Sequence, residues 1–196
     1  MSRTATVSAL AALFAIVACG RSTAETGEPP ASGRYDLGRA ATAGEVAAID
    51  IDIGPDGAEL PAGKGSVSQG AMVYGAKCAS CHGMRGEGMP PAYPKLVGRE
   101  PRDGFPFGRD PALVKTVGNY WPYATTIFDY VRRSMPFLQP GSLSNDEVYA
   151  VTAWLLAQNE IIKNDATLDA ESLKAVRMPA RDRFVRDDRK GGAEVR

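Results

Sequence analysis

Cys78-Ala79-Ser80-Cys81-His82 decides how this chain reads. The pattern C-x-x-C-H is the attachment signature of a c-type haem. Two thiols one helical turn apart reach the two vinyl groups of one haem. The residue after them then lies under the iron and offers an imidazole nitrogen as the proximal ligand. His82 is the only histidine among 196 residues, so no other side chain supplies that imidazole. Three other readings of the pair compete. A thioredoxin-type dithiol should follow a strand in a βαβ pattern, and the sequence has none. A structural zinc site needs about four Cys, His or carboxylate ligands, and the only further cysteine is Cys19. The third is chance, against which stand an export signal upstream and a suitably placed methionine downstream.

A haem that only exchanges electrons needs a sixth ligand, and without a second histidine a methionine thioether is the natural choice. The chain has six methionines. Met1 leaves with the signal, and Met72 precedes Cys78 on the same helix. Met84 and Met89 follow His82 too closely to pass around the macrocycle. Met178 lies beyond the last long helix, in the C-terminal extension. Met135 follows His82 by 53 residues, enough chain to cross to the opposite haem face. Pro136 stops the preceding helix and exposes the Met135 side chain, and Phe137 and Leu138 are placed to keep water off the sulfur. The alternative is a core methionine. On the proximal side, the second ring nitrogen of His82 needs an acceptor to fix the ring. The Gly/Pro-rich loop that ends Pro94-Lys95-Leu96-Val97-Gly98 offers one, the carbonyl of Pro94. Trp121, Tyr123 and one of Arg102 or Arg109 are candidates to hydrogen-bond the haem propionates, with plain core packing the alternative for Trp121.

Lys plus Arg equal Asp plus Glu at 23 each, so no basic excess points to nucleic acid. Hydrophobic content of 44% is that of a globular protein, while 21 Gly and 14 Pro predict a loop-rich one. Residues 1–18 read as an export signal, with Arg3 before an apolar run from Val7 to Val17 that is too short to span a bilayer. The run ends Ile16-Val17-Ala18-Cys19-Gly20, which resembles a bacterial lipobox. Acylated Cys19 would anchor a periplasmic protein to a membrane surface; an ordinary signal followed by an incidental cysteine is the alternative. Residues 19–33 are a flexible tether, and 34–66 an arm. In the arm, Thr42-Ala43-Gly44-Glu45 fits a capping box. Ile49-Asp50-Ile51-Asp52-Ile53 alternates as an extended ribbon with one apolar face, before a Gly54-Pro55-Asp56-Gly57 turn. Such a ribbon must hide its isoleucines on its own domain or on a partner.

The haem domain is placed at 67–159. Ser66 or Ser68 caps a helix through Lys77, with Val67, Ala71 and Tyr74 spaced for burial. Asp110-Pro111 predicts a short helix that stops at Gly118. A second, Thr125 to Arg133, turns Ile127, Phe128 and Val131 inward. Ser144-Asn145-Asp146-Glu147 opens the longest helix, to about Asn159. Residues 160–196 hold a small helix from Ala170 to Val176 capped by Asp169, then a charged end. No internal repeat is present, which leaves room for one haem domain.

A helix ending in Cys-x-x-Cys-His, a Pro-x-Leu-x-Gly loop, a Met-Pro and a capped last helix together resemble class I cytochrome c over residues 67–159. The resemblance implies an all-α fold with an N-terminal arm and C-terminal tail, one covalent haem c, and a first and last helix that cross where Gly70 and Tyr74 meet Trp154. The stretch from Thr116-Val117-Gly118-Asn119-Tyr120 through Arg133-Ser134-Met135-Pro136-Phe137, with flanking Ile51-Asp52-Ile53-Gly54-Pro55-Asp56-Gly57 and Arg177-Met178-Pro179-Ala180-Arg181-Asp182, is similar to a narrower group. That group is the cytochrome subunit of the sulfane dehydrogenase of the sulfur-oxidising multienzyme system. It implies a molybdenum-cofactor dehydrogenase subunit as electron donor and a downstream cytochrome or oxidase as acceptor.

Three functions correspond to different uses of the iron. An electron-transfer subunit fills both axial positions. A haem enzyme or sensor leaves the distal one open or displaceable. A structural lipoprotein would carry the haem incidentally. A free-standing, lipid-anchored carrier for another periplasmic dehydrogenase or oxidase is a variant of the first. Met135, and the absence of acid/base groups in its neighbourhood, favour electron transfer without catalysis of its own.

Overall fold

The computed structural model describes residues 38–185. The signal at 1–18, Cys19, the tether and the charged end from 186 lie outside the described residues. The chain divides into units 1–41 and 42–196, and the second carries the fold.

Four short sequences start helices in the same way. Thr42, Ser66, Ser144 and Asp169 each accept the amide of the residue three positions on, whose side chain bonds back to the cap. Such a cap is worth roughly 1 kcal/mol. They open α1 (Ala43–Ile49), α2 (Val67–Lys77), α5 (Asn145–Gln158) and α6 (Ala170–Lys174). Between α2 and α5 come the single turn α3 (Ala79–His82) and α4 (Ala124–Ser134). A helix apolar on all sides belongs in the middle of a fold, and α5 is that helix: every residue from Val148 to Ala157 is buried.

The frame is a crossing of α2 over α5. A Cβ built on Gly70 would lie 1.9 Å from the Ala150 carbonyl oxygen and 2.7 Å from Trp154 Cβ, so only glycine admits this approach. One turn on, the Tyr74 ring stacks on Trp154 with centroids 3.8 Å apart. Gly70 and Tyr74 therefore meet Trp154 at the helix crossing. On α2 the buried set is Val67, Gly70 and Tyr74; Ala71, expected inside, is exposed.

Among the described residues the architecture is helical apart from one two-stranded ribbon. β1 (Lys64–Ser66) pairs antiparallel with β2 (Thr167–Asp169), Gly65 opposite Leu168. Gly65 lies against the α5 backbone, where a Cβ would sit 2.2 Å from Ala150 N. The ribbon thus joins the segment before α2 to the segment after α5. The core extends outward with it: Ile53, Leu168, Leu173 and Met178 belong to the same buried cluster as Tyr74, Phe128 and Trp154. Met178 is 2% exposed, so this part of the C-terminal extension is core and no loose tail.

Two local expectations change. Residues 111–118 form turns, not a helix. The Asp110 carboxylate accepts from Ala112 N, and Asn119 bonds the Thr116 amide and the Val114 carbonyl. These side chains take backbone partners that a helix would need, and Val114 at 58% exposure has no face to bury. The alternating isoleucines do not form a ribbon. Ile49 ends α1 and is 81% exposed, Ile51 is 40% exposed, and only Ile53 is buried. The capping box at Thr42 winds the chain as far as Ile49, which breaks the alternation.

From Ile51 the arm is part of the domain. The Arg132 guanidinium donates to Ile51 O (3.2 Å), Ile53 N donates to Asp129 Oδ1 (2.8 Å) and Thr125 Oγ1 donates to Pro55 O (3.0 Å). Further along, Tyr149 donates its hydroxyl to Pro61 O, and Lys64 N donates to Asp146 Oδ1. The helix α1 before it has no buried residue.

Candidate haem-attachment site

Cys78 is the residue at which α2 ends and α3 begins. Its amide still reaches back to Tyr74 O, while Cys81 N and His82 N both donate to Cys78 O at 3.1 and 3.0 Å. That closed turn sets Cys78, Cys81 and His82 in one helical turn at the end of α2. Gly83, at φ 77°, stops it; a Cβ there would strike the Glu87 carboxylate at 2.5 Å. Both thiols are free and half-buried.

The proximal loop is folded back by glycines. Gly88, at φ 75°, donates to His82 O (2.8 Å), and a Cβ on it would meet Lys95 N at 2.6 Å and Pro94 C at 2.8 Å. Gly86 O accepts from Leu96 N and Val97 N. This close approach brings the Pro94 carbonyl 3.0 Å from His82 Nδ1. Nδ1 then carries the hydrogen, and Nε2 presents its lone pair away from the loop. Tyr74, stacked on Trp154, donates its hydroxyl to Gly83 O (2.9 Å), so the helix crossing also holds the end of the motif. Burial pushes the Tyr74 hydroxyl well above its usual range, so it stays a donor at any physiological pH.

The thiols separate the competing chemistries. Burial, and secondarily the neighbouring Cys81, push the Cys78 thiol up to about 11. A redox dithiol lowers the pKa of its attacking cysteine, the opposite direction to the shift at Cys78. Among the described residues no three His, Cys, Asp or Glu side chains are grouped to hold a metal. Two half-buried thiols in one turn with an oriented imidazole fit a covalent haem.

Met135, the expected distal ligand, caps the end of α4, half-buried against the core. Phe137 and Leu138, just after it, are 79% and 88% exposed. Among the other methionines, Met72, Met84 and Met89 are exposed at 69%, 70% and 42%. Trp121 donates its indole N–H to Thr126 Oγ1 (2.9 Å). Tyr123 precedes α4, with the Arg181 guanidinium 5.2 Å over its ring. Arg102 is spent on Glu160 and Glu100, and Arg109 is exposed.

Two supporting residues carry no signal in the sequence. Asn159, fully buried at the end of α5, accepts from Gly98 N (2.9 Å) and donates to Leu96 O (3.3 Å), tying the proximal loop to the central helix. Asp129 is a buried carboxylate on α4 that binds Ile53 N and Arg133. Burial alone would raise its pKa; the Arg133 guanidinium, the Ile53 amide and Arg132 outweigh it and hold the carboxyl below the usual aspartate range. An asparagine at a helix end and an aspartate four before an arginine look like ordinary surface residues, so the burial of neither was legible.

The family described as "Cytochrome C oxidase, cbb3-type, subunit III" matches residues 65–155. A chain of the crystal structure of the sulfane dehydrogenase SoxCD from Paracoccus pantotrophus is 42% identical, with a TM-score of 0.68, over 79% of this chain and 73% of that one. The chain belongs to the class I c-type cytochromes. No curated protein matches it. The cytochrome's fold is thus the cytochrome c fold extended by the β1–β2 ribbon and the arm, and its activity is electron transfer. Among its described residues, no helix is long and apolar enough to cross a membrane.

Proposed function

We propose that this cytochrome carries one haem c and accepts electrons from a molybdenum-cofactor dehydrogenase that oxidises sulfane or sulfite sulfur, passing them to a downstream cytochrome or oxidase. The haem, when bound, supplies reversible one-electron chemistry at its iron. Cys78 and Cys81 hold it covalently. His82 is the proximal ligand, its ring turned by the Pro94 carbonyl. Met135 would supply the second protein ligand to the iron, which would leave no site for substrate. The observation that carries the sulfur reading is the likeness to the SoxCD chain, which covers 79% of the sequence and so extends beyond residues 65–155.

Intact mass under denaturing conditions tests the cofactor. The protein produced with haem-attachment machinery is expected to exceed its processed chain by one haem and by the lipid on Cys19, with residues 1–18 absent. A mass equal to the bare processed chain sinks the cofactor reading, and a haem-bearing mass without acyl groups sinks the anchor.

The exposed helix α1, with Val46 46% and Ile49 81% exposed, is our candidate for the contact with the donor. Deleting 38–50 is expected to leave the thermal midpoint nearly unchanged and to abolish co-purification with the donor dehydrogenase. Deleting 38–63 removes Ile53 from the core and is expected to cost about 3–5 kcal/mol. Retained co-purification in the shorter deletion would exclude α1 from the interface. Equal midpoints for both deletions would exclude residues 51–63 from the fold.

A further inference from the structure

We propose that Asp129 is a positioning residue for Met135, and that it does this by fastening the arm to the last turns of α4. The inference rests on the reading of Met135 as the distal ligand.

Met135 is the first residue after α4, and its amide still donates to Val131 O (3.1 Å). The segment on its C-terminal side offers little support. Phe137, Leu138, Gln139 and Pro140 are all exposed, and the backbone there makes only local turns, Gln139 N to Pro136 O and Ser142 N to Gln139 O. The protein packing next to Met135 therefore lies on its N-terminal side, at the end of α4.

That end is held by the arm. Ile51, Ile53 and Pro55 bond in turn to Arg132, Asp129 and Thr125. Rising numbers on the arm meet falling numbers on α4, so the two run antiparallel. The contacts at Arg132 and Asp129 lie within two turns of Met135, and the one at Thr125 lies a turn further back. An ordinary i,i+4 ion pair on a helix surface contributes little. Asp129 is different, at 8% exposure. Its Oδ1 accepts both Ile53 N (2.8 Å) and Arg133 Nε (2.8 Å), while Oδ2 accepts Arg133 Nη2. A buried carboxylate with two donors on one oxygen and a paired guanidinium is expensive to leave unmatched. The arm backbone, Asp129 and Arg133 therefore hold one geometry together, ending two residues before the ligand.

The test uses the haem-loaded full chain and follows imidazole binding to the oxidised protein, which requires Met135 to leave the iron. Asp129→Asn removes the carboxylate, and Arg133→Gln removes its more exposed partner should the first variant fold poorly. Thr125→Val cuts the same arm from the same helix at the end remote from Met135. Imidazole binding is expected to be about tenfold faster in Asp129→Asn and Arg133→Gln, and within about twofold of wild type in Thr125→Val. Unchanged rates in both charge variants overturn the proposal. So does equal acceleration in all three, which would be general loosening of α4. A wild-type protein without a sulfur-to-iron band sinks the Met135 assignment itself, whereas a band present with unmoved rates sinks the role of Asp129 alone.

Discussion

Met135→Ala is expected to abolish the sulfur-to-iron absorption band of the oxidised protein and to lower its reduction potential by about a hundred millivolts or more, within the ~0.8 V that axial ligands command. A thioether favours the ferrous state, so water or hydroxide in its place stabilises the ferric one. The expectation rests on Met135 being half-buried against the core at the end of α4, while Met72, Met84 and Met89 face solvent. Met178 is buried at 2% exposure, in the segment after α6. Absorption spectra and a redox titration decide the matter. If the band and potential survive in Met135→Ala but disappear in Met89→Ala, the ligand comes from the proximal loop and the assignment of faces is wrong. The covalent attachment through Cys78 and Cys81 should be intact in either variant, which keeps loss of ligand distinct from loss of haem.

Gly70→Ala is expected to destabilise the protein by about 3 kcal/mol, the upper part of what overpacking costs. The added carbon would lie 1.9 Å from the Ala150 carbonyl oxygen and 2.6 Å from its carbon. These are backbone atoms of the central helix and cannot rotate away, so α2 must lift from α5. Tyr74 would move off Trp154, and its hydroxyl off Gly83, which holds the end of the attachment motif. Gly75 is the control on the same helix. Nothing lies within 4 Å of a Cβ built there, so Gly75→Ala should stabilise by up to about 1 kcal/mol through helix propensity. Urea unfolding of the three proteins checks both signs. Similar midpoints for Gly70→Ala and Gly75→Ala would mean that the helices do not cross at residue 70. The yield of haem-loaded protein should fall with Gly70→Ala and not with Gly75→Ala.

Local and chemical features were legible from the residues alone. The turn at Cys78-Ala79-Ser80-Cys81-His82 was so because its spacing is that of one helical turn. The helix starts were so because a cap is a bond between residues three apart; Thr42, Ser144 and Asp169 behave as read, and of Ser66 and Ser68 it is Ser66 that caps. The crossing of α2 and α5 followed from a small residue and an aromatic one turn apart, once the family was in view. Which isoleucine of the arm lies inside was settled only on folding, because a capped helix overrode the alternation at Ile49 and one buried site, beside Asp129, accepted Ile53. Folding also made residues 111–118 turns, took Met178 into the core, and buried Asn159 and Asp129. Such outcomes depend on partners as far as 76 residues away in the chain, such as Ile53 for Asp129. A polar side chain's burial is set by donors and acceptors that come together only when the chain has folded.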